Sequence, residues 1–256
     1  MERPLIVDPE AASAGRLDVM LHEIWPCQAW TAANAFQGMR LAGAIDPKLI
    51  FVEHVPGVLD GMAFTQTLRR SDLACRKAPV IMISAEATPE IILGARDAGV
   101  YTFLSKPYGM KDLVRRLGAI ALQPRGWIEA VGYVGPDRRR FTSSDSPAPR
   151  RRRSGDSPSS PERDRLIQAL KIVASAVDQI DSDPGQVRRA LNAQAIDLRR
   201  AAVASGDPEL EVAARRLQVY LGQVAAGTAL SREGLEPFTS RLLAFLPKDE
   251  TAREAA

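Results

Sequence analysis

Leu49-Ile-Phe-Val-Glu53-His-Val-Pro56-Gly-Val-Leu-Asp60-Gly61 decides the fold of the first half of the chain. A continuous apolar run, the mark of a strand buried on both faces, ends abruptly in a carboxylate. A Pro/Gly loop follows, and Asp60-Gly61 opens a helical pattern. Open α/β sheets place their chemistry at the C-terminal ends of parallel strands, so Glu53 is the first candidate functional residue.

Working outward, residues 1–122 alternate between strands and helices. Leu5-Ile6-Val7 is a short strand ending in Asp8, followed by a helix through Ala12, Leu17, Leu21 and Ile24. Gln28–Thr31 is a weaker second strand, and Phe36–Ile45 a helix stopped by Asp46-Pro47. Beyond Glu53 come a helix over 62–70, a strand over 79–83 ending at Ser84, and a helix from Pro89 closed by Gly99. A strand over 101–104 then runs into Ser105-Lys106-Pro107, and an amphipathic helix covers 110–120. The pattern predicts a five-stranded parallel sheet, doubly wound, with helices on both faces.

Length and composition set the outer limits. A chain of 256 residues suggests two domains. The net charge of +3 does not by itself argue for nucleic acid. Two cysteines, Cys27 and Cys75, lack metal-ligand spacing and fit a reducing compartment. The strand pattern begins by Leu5 and no apolar run nears the ~20 residues of a membrane span, so a cytoplasmic location is expected. His22 and His54 are the only histidines, which excludes a histidine phosphotransfer role for the helical half. His54, next to Glu53, is expected to be an exposed loop residue, with a pH-sensitive neighbour of that carboxylate as the alternative. Nucleophile-elbow, phosphate-loop and zinc spacings are absent, so no catalytic residue, no metal and no enzyme activity are expected.

Residues 123–160 read as an Arg/Ser/Pro-rich linker too poor in apolar residues to offset its ordering entropy. Residues 161–256 are helical, with apolar positions at the 3.6-residue period through Leu166–Ile180, Val187–Ala202, Leu210–Val224 and Leu235–Phe245. Ser160-Pro161, Asp183-Pro184 and Asp207-Pro208 each pair a capping side chain with proline at the first helical position. An antiparallel all-α bundle suited to dimerisation or partner docking is expected.

Asp8, Glu53, Ser84 and Lys106 all fall at strand ends. Together with Pro79-Val-Ile-Met-Ile-Ser84-Ala85, Phe103-Leu-Ser-Lys106-Pro107, Asp97-Ala-Gly99 and Asp60-Gly61, they give residues 4–122 a resemblance to the receiver domain of bacterial response regulators, the CheY-like (flavodoxin-like) family. The resemblance implies two-component signalling. It places Glu53 at the phosphoacceptor aspartate, Ser84 and Phe103 at the coupled hydroxyl and aromatic switch, and Lys106 at the family lysine with its cis proline.

Two departures stand out. Glutamate replaces aspartate, moving the carboxylate one methylene further from the backbone. The paired acids that hold Mg²⁺ in the family are here Asp8-Pro9-Glu10, so the acidic pocket of Asp8 and Glu10 is short of a ligand and the Mg²⁺ site is expected to be lost. The expectation is a pseudo-receiver acting through protein partners, a kinase or an output complex. A conventional phosphorylatable regulator is the first alternative, and a nucleic-acid binder the third and least favoured.

The stretch Tyr133-Val-Gly-Pro-Asp-Arg138-Arg139-Arg140 is similar to the arginine-rich tail of CheY-like proteins that bind cyclic di-GMP. Guanidinium groups beside aromatics suit phosphate and guanine. That resemblance implies a cyclic dinucleotide ligand at Tyr133, Arg138, Arg139 and Arg140; a solvated or protein-docking linker is the competing reading.

Overall fold

A computed structural model describes residues 3–138, 141 and 161–247. Its contacts divide the chain into two compact units, one of residues 1–128 with 133–148 and the other of 129–132 with 149–256.

The first unit carries β1 (Pro4–Val7), α1 (Ala11–Ile24), β2 (Trp30–Ala32), α2 (Ala35–Ile45), β3 (Leu49–Glu53), α3 (Gly61–Arg70), β4 (Val80–Ser84), α4 (Pro89–Asp97), β5 (Thr102–Ser105) and α5 (Met110–Leu122). A 3₁₀ turn at Ala74–Lys77, which the sequence pattern does not announce, leads into β4. The five strands are parallel in the order β2-β1-β3-β4-β5, the flavodoxin-like, CheY-like arrangement. Alternation along each strand feeds two cores. Leu5, Val7, Ile50, Val52, Met82 and Phe103 pack under α2, α3 and α4. Ile6, Leu49, Phe51, Ile81 and Leu104 pack under α1 and α5.

Helix starts follow local chemistry. Asn34, Asp60 and Thr88 each accept an N–H from the first turn of the following helix. α1 has no side-chain cap; instead Asp8 accepts the Glu10 N–H at 2.7 Å, turning the chain out of β1. Gly61 begins α3 because a Cβ there would sit 2.8 Å from the Glu53 carbonyl oxygen. The packing of α3 onto the end of β3 therefore requires glycine at this position.

The first unit runs past residue 122, where the compositional linker was expected to begin. Trp127–Glu129 (β6) and Val134–Pro136 (β7) form a two-stranded sheet. Composition undercounted this segment because Trp127, Val131, Tyr133 and Val134 supply apolar surface in few residues. Arg139, Arg140 and 142–160 lie outside the described residues.

In the second unit α6 (Pro161–Asp178), α7 (Pro184–Ser205), α8 (Pro208–Ala225) and α9 (Arg232–Leu243) pack in sequence order, with α9 returning beside α6. Asp183 and Asp207 cap α7 and α8 with proline in the first turn, as their sequence predicts. Leu170, Val173, Leu191, Leu198, Leu217 and Leu235 form the core. The short segment Glu129–Gly132 belongs to this unit: Gln194 donates to the Glu129 carbonyl at 3.0 Å, Gln186 donates to that of Ala130 at 3.1 Å, and Val131 joins the core.

Candidate functional site

The ends of β1, β3, β4 and β5 bring Asp8, Glu53, Ser84 and Lys106 to one edge of the sheet, because neighbouring parallel strands here end in register. Lys106 donates to Glu53 Oε1 at 2.6 Å and to Ser13 Oγ on α1 at 3.2 Å. Glu53 is 5% exposed, and its Oε2 is buried without a hydrogen-bond partner among the described residues. Burial pushes the Glu53 carboxyl above the ordinary range. The Lys106 hydrogen bond pulls the other way, and the nearby Asp8 charge raises it further.

Ser84 is buried in the strand end but does not join this pair. Its hydroxyl donates to the His54 carbonyl at 2.9 Å and accepts the Glu86 N–H. Phe103 is fully buried in the core under α2, α3 and α4. The Lys106–Pro107 peptide is cis. The Pro56-Gly57 loop closes as a tight turn in which Val55 and Leu59 exchange backbone hydrogen bonds, with Gly57 at positive φ.

Asp8 and Glu10 do not form one acidic pocket. Asp8 is buried, whereas Glu10 is exposed at the start of α1, 3.8 Å from the equally exposed Arg16. Pro9 supplies no side-chain donor and Glu53 already holds Lys106. Asp8 and a Glu53 already bound to Lys106 are the carboxylates left at the strand ends, a donor set that does not fit the octahedral Mg²⁺ of the family.

His54 is not the exposed loop residue expected. Its side chain is 11% exposed, and Nδ1 accepts the Gly61 N–H at 3.3 Å, joining the end of β3 to the start of α3. Ser13 and Tyr108 are site residues that strand-end reasoning missed. Burial pushes the Tyr108 phenol up to about 12, with the Glu53 and Asp8 charges adding to the effect. Its place directly after Lys106-Pro107 was a usable signal; Ser13, one turn into α1, gave none.

At the arginine motif the Tyr133 hydroxyl donates to the Pro136 carbonyl at 2.5 Å. The Arg138 guanidinium lies 4.3 Å from the Tyr133 ring centroid and pairs with Asp97 at 3.0 Å. Asp97 is held low, first by its hydrogen bond from Arg96 and then, against partial burial, by Arg138. Arg69 was also missed. It is 1% exposed and donates to the carbonyls of Gly99, Arg76 and Ala78 at 3.0, 2.6 and 2.8 Å. Burial lowers its pKa to about 10. Arg69, Arg76 and Lys77 all lie within 6 Å of the Trp127 ring centroid, at 5.4, 5.7 and 5.6 Å.

Residues 5–118 match the family model "Response regulator receiver domain". Over 120 residues, 47% of this chain and 49% of the relative, the chain is 27% identical to the DNA-binding dual master transcriptional regulator RpaA of Synechocystis. It is 28% identical over 123 residues to hybrid signal transduction histidine kinase G of Dictyostelium discoideum, covering 46% of this chain and 4% of the kinase. The chain thus spans about half the length of the first relative and a small part of the second. Among solved structures, chemotaxis protein CheY4 of Vibrio cholerae is 21% identical at a TM-score of 0.44, over 47% of this chain and 98% of CheY4.

Proposed function

Residues 5–118 being a receiver domain of the response-regulator type, we propose that it is a pseudo-receiver, working within two-component signalling through protein contacts and catalysing no reaction of its own. One observation carries this reading. The carboxylate at the phosphoacceptor position is paired to Lys106 at 2.6 Å and walled off from solvent.

Phosphoryl transfer to a carboxylate depends on an accessible oxygen in line with the donor and on cations that neutralise the transferred charge. Glu53 Oε1 is taken by the lysine, and Oε2 is buried. The neighbouring carboxylate of the family is Pro9, and Glu10 faces outward. The added methylene of glutamate shifts the acceptor by more than the ~1 Å that already penalises a positioned reaction. The Glu53–Lys106 pair joins β3 to β5 in one arrangement. It imitates only part of a phosphorylated site, since a phosphoryl group brings three acceptor oxygens and more charge.

The test is labelling by a radioactive small-molecule phosphodonor and by a histidine kinase. No label on the wild type supports the reading. Label that disappears in Glu53→Ala overturns it in favour of a conventional regulator.

The arginine motif is assigned to holding β7 in place and to protein docking rather than to cyclic di-GMP. Of its four candidate ligand residues, Tyr133 and Arg138 are described, and they already engage Pro136 and Asp97. Arg139 and Arg140 lie outside the described residues, and titration with cyclic di-GMP tests the dinucleotide reading.

A further inference from the structure

The ends of α8 and α9 leave an open groove of about 690 Å³ whose lining includes Pro208, Glu209, Val212, Ala213, Arg241 and Phe245. Val212 is 49% exposed, and Val219, seven residues on along the same face of α8, is 58% exposed. Single exposed valines are ordinary, and the exposed Arg215 and Arg216 separate Val219 from Val212; within the groove itself Pro208, Val212, Ala213 and Phe245 form a short apolar floor. A charge of each sign borders that floor. Glu209 is in the first turn of α8 and Arg241 in the last turn of α9. Neither makes a salt bridge among the described residues. Each sign suits the dipole of its own helix end, but that does not account for the apolar surface between them.

We propose that this groove is a self-docking surface, on which a second copy of the chain packs about a two-fold axis. The inference deepens the reading that the protein works by protein contacts. A two-fold contact sets residue i against j and j against i. Glu209 of each copy then meets Arg241 of the other, while Val212 and Phe245 meet near the axis. A predominantly acidic or basic partner would satisfy one rim charge and oppose the other. A surface carrying both signs across one apolar floor is complementary to itself.

Sedimentation velocity of the full chain over a micromolar concentration series tests this. A concentration-dependent dimer is expected, and Val212→Asp shifts it to monomer. Glu209→Arg and Arg241→Glu each weaken it by roughly ten-fold, whereas the double charge swap returns it to within about three-fold of the wild type. Circular dichroism on each variant verifies that the helices persist. A wild type that is monomeric throughout overturns the proposal, as does a dimer untouched by Val212→Asp. A double swap weaker than both single ones overturns it too. Phosphodonor labelling of the same samples reports on the receiver reading separately, so the two can fail independently.

Discussion

At the scale of single residues, Glu53 carries the most information. Its carboxyl is raised by burial more than Lys106 lowers it, so the folded protein binds more protons at this position than the unfolded chain. A group raised in the folded state contributes stability that is present below its unfolded pKa and is lost as pH rises through the folded value. Glu53→Gln removes that loss. The melting temperature of Glu53→Gln relative to wild type should therefore climb as pH is raised above 4.5, the group's ordinary value. Thermal unfolding at a series of pH values checks this, and an opposite slope would mean that the lysine pair outweighs burial. Arg69 is the other decisive side chain, a buried cation held by three carbonyls rather than by a carboxylate. Arg69→Met leaves those carbonyls without their donor and should destabilise the protein by about 3 kcal/mol, measured by denaturant unfolding. Glu53 and Lys106 were legible in the sequence because each ends an apolar run. Arg69 was not, since an arginine in the last turn of a helix normally points to solvent.

At the scale of elements, β6 and β7 show how far composition can mislead. β7 holds to the receiver unit through close backbone approach. Gly99 has φ near +88°, and a Cβ there would lie 2.7 Å from the Val134 carbonyl oxygen. Gly99→Ala should cost more than about 1 kcal/mol, combining left-handed backbone strain with that clash. Gly118 offers the control. It lies inside α5, where an added Cβ would meet nothing within 4 Å, and Gly118→Ala should stabilise by roughly 0.5–1 kcal/mol. Chemical denaturation of the two variants side by side checks both signs. In α7, Gln186 and Gln194 read from sequence as ordinary polar positions. Both are buried and bind the backbone of 129–130, contacts that no helical periodicity could announce because their partners lie more than fifty residues upstream.

At the scale of the whole molecule, no helix among the described residues is long and apolar enough to cross a membrane, and contacts with proteins are the proposed mode of action. Isothermal titration of the full chain with cyclic di-GMP should give no heat at micromolar concentrations if Tyr133 and Arg138 stay with Pro136 and Asp97. Binding that Arg138→Ala abolishes would restore the dinucleotide reading. The doubly wound sheet, the helical second half and the family of residues 5–118 are legible along the chain, because they follow from local periodicity, caps and strand-end residues. Which strand-end groups meet is settled by packing in three dimensions. Lys106 reaches Glu53 and Ser13, Ser84 turns to the His54 backbone, and Glu10 turns away. Such choices depend on side-chain direction and burial after packing, and a one-dimensional pattern carries neither.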